Sequence, residues 1–325
     1  MRHLKVLVLA GLLALAACAQ PVVMGRGAPS VPASTNGTAF VMPDGAALPY
    51  RTWQAERPHA VLIGVHGLND YSGAFRYPGP WFAEHGVTVY AYDQRGFGQA
   101  PGRGLWAGEA ALAADLRDVI ALVRARHPGV PVHVAGLSMG GAVAMTALSG
   151  DGAPPVEGLV LVAPAVWGLE TMPDFYRAAL DFVVRLAPWW PMSGDGTGIR
   201  ASDNMQALIE NGRDPLFLKQ TRADVVFGLV RLMDAAQKAA GQVKPPVLLL
   251  YGEKDALIPK EAVAQVAERL PDGARIALYP DGWHMLLRDL QRETVYRDIL
   301  GWIGAPGAPL PSGAEAGPGL QPLPR

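Results

Sequence analysis

A serine placed between two glycines, in the run Gly136-Leu137-Ser138-Met139-Gly140, constrains the fold of this chain more than any other feature. An apolar stretch at 132–135 precedes it, and small residues at 141–148 follow it. This order suits a serine on a sharp turn between a strand and a helix, with glycines that let the two elements approach closely. The pattern therefore predicts a nucleophilic Ser138. A serine that only caps a helix is the alternative.

Six apolar runs predict the strands of one sheet, at residues 61–65, 87–92, 132–135, 159–163, 247–251 and 276–279. Near-continuous apolar runs of this length are typical of buried parallel strands. Segments with helical spacing separate the runs, and a polar-edged hairpin over 38–53 is expected to begin the sheet. The chain is therefore expected to adopt an α/β fold with a mostly parallel sheet flanked by helices.

Two residues that could assist Ser138 follow the last two apolar runs. Asp255 lies beyond the run at 247–250, and His284 lies beyond the run at 276–279. Ligand sites of open α/β sheets form outside the C-terminal ends of their strands. A histidine there could take the serine proton and return it to the leaving group, while an aspartate orients the imidazole. We therefore predict that Ser138, His284 and Asp255 form a catalytic triad.

Other carboxylates and other roles compete with this assignment. Glu253 and Asp281 flank the same two strands. Asp255 is favoured because it lies in the loop past its strand, whereas Asp281 suits a turn with the glycine that follows it. For His284 the alternative is an ordinary histidine of a surface loop.

Five motifs between about residues 38 and 303 carry a resemblance to a known family. They are His66-Gly67-Leu68-Asn69-Asp70-Tyr71-Ser72, Asp93-Gln94-Arg95-Gly96-Phe97-Gly98, Gly136-Leu137-Ser138-Met139-Gly140-Gly141, Gly252-Glu253-Lys254-Asp255 and Gly282-Trp283-His284. With them the chain resembles α/β-hydrolases of the monoacylglycerol lipase and lysophospholipase group, also classed with serine aminopeptidase-like hydrolases. The chain order serine, aspartate, histidine is the order of that fold.

The resemblance implies an oxyanion hole and a cap. The oxyanion hole would use the backbone N–H groups of Met139, directly after the nucleophile, and Leu68, in the loop after an early strand. A helical cap would be inserted before the penultimate strand, over roughly residues 165–243. Trp189 and Trp190 lie in this insertion, and we predict that they bind substrate in an acyl tunnel or meet the membrane interface. For most apolar residues of the insertion, a packed cap core is the alternative.

The N-terminus predicts an export signal. Residues 1–17 begin with basic residues and continue with an apolar stretch. This apolar stretch is too short to span a bilayer as a helix, which is typical of a signal peptide. The run Leu15-Ala16-Ala17-Cys18 resembles a bacterial lipoprotein box, which implies a lipid on Cys18, the only cysteine of the chain. A plain signal cut near Ala19 is the alternative. Because Ala19 is not aspartate, lipoprotein sorting implies the outer membrane of a bacterial envelope, on the side facing the periplasm.

Composition divides the rest of the chain. Residues 18–37 are rich in Pro, Gly, Ala and Ser and predict a flexible tether, and residues 305–325 predict a disordered tail. Residues 38–304 then form one hydrolase domain.

The net charge is −1 with 18% charged residues, which argues against nucleic-acid binding. No metal-ligand spacing occurs, so we expect no metal and no cofactor. The sequence does not indicate an oligomeric state.

Three functions remain open at this stage. The first is a serine hydrolase that cleaves lipid esters, either monoacylglycerols or lysophospholipids. The second is a general carboxylesterase, peptidase or carbon–carbon hydrolase that acts on a small substrate with the same fold. The third is a non-catalytic envelope lipoprotein that uses the fold as a binding module.

Overall fold

The structure is a computed structural model that describes residues 20–194, 198–317 and 320–322. The strands in this part of the chain are β1 (Ser34–Thr35), β2 (Ala39–Val41), β3 (Ala47–Trp53), β4 (Ala60–Val65), β5 (Val87–Tyr92), β6 (Val132–Leu137), β7 (Gly158–Val162), β8 (Pro191–Met192), β9 (Thr221–Arg222), β10 (Val247–Gly252), β11 (Arg275–Tyr279), β12 (Glu315–Gly317) and β13 (Gln321–Pro322). All but β8 and β9, which pair with each other, belong to one sheet of order β1-β2-β3-β5-β4-β6-β7-β10-β11-β12-β13. Its six central strands, from β5 to β11, run parallel.

The helices of the described residues are α1 (Pro78–Glu84), α2 (Glu109–Arg126), α3 (Met139–Ala147), α4 (Asp174–Leu186), α5 (Met205–Arg213), α6 (Ala223–Ala239), α7 (Lys260–Arg269) and α8 (Arg292–Gly304). Successive residues of a strand point to opposite faces of a sheet. In β4, Val61 and Ile63 accordingly join a core that includes residues of α2, α3, α6 and α7. Leu62 joins a second core that includes residues of α1 and α8. Both faces of the sheet are thus covered by helices.

The six strands predicted from apolar runs are all present, as is the predicted hairpin, which β2 and β3 form. The α/β fold with a mostly parallel sheet is therefore confirmed. The predicted insertion lies between β7 and β10 and holds α4, α5 and α6. Strand β10 is the penultimate parallel strand, because only β11 follows it in the parallel part of the sheet. The short antiparallel strands β12 and β13 come after β11 in the chain.

The described residues 305–317 and 320–322 correct the prediction of a disordered tail over 305–325. Strand β12 pairs antiparallel with β11, and Leu310 and Leu320 are buried. An open sheet edge offers unpaired backbone groups to any segment that reaches it. A strand of three residues is too short to produce the alternation that a sequence pattern detects, which is why composition alone suggested disorder.

The N-terminal segment also departs from its prediction as a flexible tether over 18–37. Met24 donates a backbone hydrogen bond to Trp106 at 2.8 Å, and Arg26 forms an ion pair with Asp115. Further along, β1 pairs with β2. The signal peptide and Cys18 lie outside the described residues. No helix in the described part of the chain is long and apolar enough to cross a membrane.

A buried histidine in β6 leads to a prediction about stability. His133 is 2% exposed and packs near Trp302, and burial lowers its pKa to about 4. The unfolded chain binds this proton near pH 6.5, so the stabilising effect is complete above that pH and is lost as the pH falls towards 4. We expect this site to remove about 2–3 kcal/mol of unfolding free energy between pH 7 and pH 4.5. Urea unfolding at a series of pH values measures the loss.

The control for this prediction compares two histidine variants. His133→Asn should unfold with a shallower pH dependence, whereas the same change at exposed His85 should retain the original dependence. An unchanged slope in His133→Asn would contradict the prediction.

Candidate active site

Ser138 lies on the turn between β6 and α3 with φ 51° and ψ −117°. This left-handed backbone is strained for a residue other than glycine. The surrounding bonds hold the turn, because the Ser138 N–H donates to Val162 O at 3.0 Å and its carbonyl accepts from Ala165 N at 2.9 Å. The predicted sharp strand-to-helix turn is therefore present.

The two glycines of the motif are required by close backbone approach. A Cβ on Gly136 would lie 2.5 Å from Gly140 O, and a Cβ on Gly140 would lie 2.1 Å from Val65 O. Both distances are shorter than any carbon–oxygen contact that packing tolerates. The motif thus brings the start of α3 against the end of β4.

Asp255 and His284 form the pair that the sequence predicted. His284 Nδ1 donates to Asp255 Oδ2 at 2.7 Å, and the Asp255 side chain is fully buried. The other carboxylate oxygen of Asp255 accepts from the N–H groups of Leu257 and Ile258 at 2.8 and 3.1 Å. Because the proton of His284 is on Nδ1 in this arrangement, Nε2 keeps its lone pair and can act as a base.

The two rival carboxylates have other partners. Glu253 is paired with Lys260 at 3.0 Å, and Asp281 is paired with Lys254 at 2.6 Å, both on the surface. Neither bonds to His284, which leaves Asp255 as its carboxylate partner.

Asp289 supports the histidine loop, and sequence analysis missed it. Its two oxygens accept from Trp283 N at 2.8 Å and from Ser202 Oγ at 2.6 Å. Burial raises the pKa of this carboxyl. The spacing of five residues after His284 gives no recognisable pattern, and Ser202 comes from the cap insertion, so only the fold reveals the contact.

The loop after β4 is placed where an oxyanion hole requires it. A Cβ on Gly67 would lie 3.3 Å from the Ser138 Cβ, so this loop runs directly beside the nucleophile. The N–H groups of Leu68 and Met139 have no hydrogen-bond acceptor among the described residues. Backbone N–H groups inside a protein are almost always paired. Two free donors beside Ser138 therefore suit a developing negative charge.

His66 holds this loop in place. Its Nδ1 donates to Gly67 O at 2.8 Å, and its Nε2 accepts from Gln94 N at 3.0 Å. Burial lowers the pKa of His66, which keeps the ring neutral. Both ring nitrogens are thus occupied by backbone groups, and His66 orients the loop.

A cavity of about 610 Å³ contains both Ser138 and His284 in its walls. Most of the surrounding side chains are apolar, and several come from the cap; they include Trp167, Leu208, Phe217, Leu229 and Met233. The cap therefore covers the cavity that contains Ser138 and His284.

One end of the cavity is polar. Arg288 is 2% exposed and lines this end, where it bonds to Asp70 and to Asn211 Oδ1. Nearby, Asn69 has φ 64° and donates from Nδ2 to Thr221 Oγ1 at 2.7 Å, which ties the oxyanion loop to the cap. The positive charge of Arg288 is thus neutralised by Asp70.

Trp189 and Trp190 are not in the cavity, which corrects the prediction that they line a substrate tunnel. They are 56% and 59% exposed, and the cavity wall does not include them. The carbonyl of Trp190 accepts from Ala223 N at 2.9 Å, which fixes the segment at the start of α6 on the outside of the cap. Aromatic size was visible in the sequence, but the direction in which the segment packs was not.

Known proteins resemble this chain along most of its length. The family profile described as serine aminopeptidase, S33, matches residues 56–291. A monoacylglycerol lipase of Mycolicibacterium smegmatis is 24% identical over 82% of this chain and 95% of its own length. Human monoglyceride lipase is 26% identical over 81% of this chain and 89% of its own length.

A solved structure has the same fold as this chain. A soluble variant of monoglyceride lipase from Saccharomyces cerevisiae, in complex with a substrate analog, aligns with a TM-score of 0.68 at 19% identity. The alignment covers 87% of this chain and 97% of that one. Because the family profile spans more than half of the chain and includes Ser138, Asp255 and His284, the chain belongs to the serine aminopeptidase S33 family of α/β-hydrolases.

Proposed function

We propose that this serine hydrolase cleaves the carboxylic ester of a monoacylglycerol through an acyl-enzyme. The observation that carries the proposal is the largely apolar cavity of about 610 Å³ into which both Ser138 and His284 face. Burial of an acyl chain there contributes roughly 0.8 kcal/mol per methylene. The lipase names of the M. smegmatis and human relatives agree with a lipid ester.

The proposed mechanism uses the triad and the two free N–H groups. Ser138 Oγ attacks the ester carbon while His284 Nε2 takes its proton, and Asp255 stabilises the imidazolium. Leu68 N–H and Met139 N–H stabilise the oxyanion. His284 then returns the proton to the leaving alcohol, and water releases the fatty acid by the same steps. The Ser138 hydroxyl has no partner among the described residues, and such catalytic hydrogen bonds often tighten only with substrate present.

The existing partners of the two cations at the polar end favour monoacylglycerols over lysophospholipids. A phosphate group requires a cation that is free to pair with it. Arg288 is already paired with Asp70, and Lys219 donates to the carbonyls of Asn211 and Asp214. An uncharged glycerol can hydrogen-bond to such an end without displacing these contacts.

The test is fatty-acid release by the soluble chain that begins at Ala19. Monoacylglycerols and lysophospholipids of increasing acyl length are compared with a short p-nitrophenyl ester. We expect kcat/KM to rise by up to about fourfold per methylene until the cavity is filled. We also expect monoacylglycerols to exceed lysophospholipids of equal chain length.

Two other outcomes would change the proposal. Activity confined to the short ester would place the enzyme among general carboxylesterases. Faster release from lysophospholipids would assign the phospholipid head group. Ser138→Ala serves as the control for background hydrolysis in each case.

The protein is further proposed to be lipid-anchored at Cys18 in a bacterial envelope, at the outer membrane and facing the periplasm. The support is the lipoprotein-like run that ends at Cys18, since stable anchoring needs more than one acyl chain and lipoproteins carry several. Cys18→Ser is therefore expected to move the protein from the membrane fraction to the soluble fraction.

This change should leave hydrolysis of a soluble ester intact, because the triad lies in the folded domain. Fractionation after ultracentrifugation, with ester hydrolysis measured in both fractions, makes the comparison. Membrane retention of Cys18→Ser would place the anchor elsewhere.

A further inference from the structure

The first residues that the structure describes, near Val22, lie beside the cap. Val22 N donates to Asp224 Oδ2 at 3.2 Å, at the beginning of α6. The neighbouring Ala223 N donates to Trp190 O at 2.9 Å. Val22, which follows Cys18 by four positions in the chain, therefore lies next to the exposed tryptophan segment.

Residues 22–26, here called the N-terminal strap, are fixed to the domain by several contacts. Met24 N and Gly25 N donate to the carbonyls of Trp106 and Ala107 at 2.8 and 3.1 Å. Arg26 pairs with Asp115 and with Asp118, both on α2. Backbone and charge contacts together hold the strap, so its position relative to the cap is defined.

An apolar surface of the cap lies next to the strap. We call it the apolar cap face, and it consists of Phe175, Tyr176, Phe182, Trp189, Trp190 and Met192, which are 38–77% exposed. Helix α4 buries only Val184. Val22 and Val23 of the strap are themselves exposed, at 43% and 58%. Exposed apolar surface of this extent on a protein marks a surface that another apolar phase covers.

The apolar cap face borders the catalytic cavity at two places. The ring of Tyr176 lies 6.1 Å from the ring of Trp167, which lines the cavity. Gly194, also in the cavity wall, follows Met192 by two residues. A phase that covers this face therefore lies at the edge of the site.

We propose that the strap and the apolar cap face form one membrane-binding surface, so that the bilayer that holds the lipid on Cys18 also covers the cap face. This inference rests on the proposed anchor at Cys18. The four residues from Cys18 to Val22 can span at most about 14 Å. The strap thus keeps the membrane surface within that distance of the cap, and the cavity opens towards the source of its substrate.

The charges of α4 indicate which lipid surface fits. Asp174 pairs with Arg177, and Asp181 pairs with Arg185, so the ionic groups of the helix balance. A neutral, apolar face needs no anionic lipid for binding. Vesicles of phosphatidylcholine are therefore sufficient for the test.

The test uses the full chain with its lipid, reconstituted in phosphatidylcholine vesicles. Cys18 is the only cysteine and its sulfur is blocked by lipid, so an introduced cysteine is the one free thiol. Phe182→Cys carries a fluorophore on the apolar cap face. Asp272→Cys is the matched control, because this exposed residue precedes β11 at the N-terminal ends of the parallel strands, whereas the cap insertion follows the C-terminal end of β7.

Quenching by lipids with a spin label on the acyl chain distinguishes the two positions. We expect strong quenching of the probe at position 182 and little at position 272. Equal quenching at both positions, or none at position 182, would overturn the proposal.

A spacer variant tests the strap without changing any described residue. About twelve Gly and Ser residues inserted between Ala19 and Gln20 add a root-mean-square reach of about 20 Å. We expect quenching at position 182 to fall severalfold while the protein still sediments with vesicles. Unchanged quenching would show that the strap does not set the orientation.

The same samples separate failure of this inference from failure of the proposed function. Loss of sedimentation in the unmodified chain would refute the anchor at Cys18. Sedimentation without quenching at position 182 would refute only the shared surface. Hydrolysis of a soluble ester reports the triad independently of both.

Discussion

Replacing Ser138 with alanine is expected to lower kcat by about 10⁶-fold, as loss of a serine nucleophile does in other triad enzymes. Without Oγ no acyl-enzyme forms, and only the oxyanion donors and substrate binding remain. The turn should be preserved, since alanine adopts the same backbone angles at a similar cost. Steady-state hydrolysis of a p-nitrophenyl ester, together with labelling by a fluorophosphonate, measures the effect.

A matched serine variant provides the control. Ser149→Ala removes a hydroxyl that bonds to Thr146 O just beyond α3, outside the cavity wall. It should keep full turnover and full labelling. Turnover that survives in Ser138→Ala, or labelling of another residue, would refute the triad assignment.

Asp255→Asn is expected to reduce kcat by about 10⁴-fold, by analogy with the same change in a serine protease triad. The buried carboxylate accepts from His284 Nδ1, whereas an amide can present its NH₂ group and favour the wrong tautomer of the ring. Nε2 would then carry the proton and could no longer act as a base. Because asparagine keeps the shape of the aspartate side chain, the urea midpoint of unfolding should stay close to that of the unmodified enzyme while kcat falls.

The control for Asp255 is its rival carboxylate. Asp281→Asn removes a surface ion pair with Lys254, and such pairs contribute about 0–1 kcal/mol. Its turnover should match that of the unmodified enzyme. If Asp281→Asn impaired catalysis more than Asp255→Asn did, the assignment of the triad carboxylate would be reversed.

The parts of the site that sequence analysis found are those with local patterns. Ser138 sits in a motif in which Gly136 has a steric reason inside the motif itself, since a Cβ there would meet Gly140 O. Asp255 and His284 each follow an apolar strand, and parallel strands place their C-terminal ends along one edge. Periodicity and strand order were thus sufficient to place all three in one region.

The supporting residues could not be found in that way. Asp289 meets Ser202, and Arg288 meets Asp70, across 87 and 218 positions of the chain. Such contacts leave no spacing to recognise, because they depend on how the cap and the loops fold back over the sheet. Trp167, Leu208 and Phe217 of the cavity wall were missed for the same reason.

The segments that sequence analysis placed wrongly were judged by composition. The ends of the domain are rich in Pro and Gly, yet the strap binds Trp106 and Asp115, and β12 completes the sheet edge at β11. A few specific contacts to a preformed surface can order a segment that has no preference of its own. Trp189 and Trp190 illustrate the reverse case, since large aromatic residues that suggested a tunnel lie outside it.

The sequence by itself determined the parallel sheet, the strand-to-helix turn at Ser138 and the order of the triad, because these follow from apolar periodicity and from local steric limits on the backbone. Only the tertiary structure decided which residues support the histidine loop, which side chains enclose the cavity, and that the strap lies next to the apolar cap face. Those features are contacts between distant segments, and their energies depend on burial and distance, which a linear pattern does not contain.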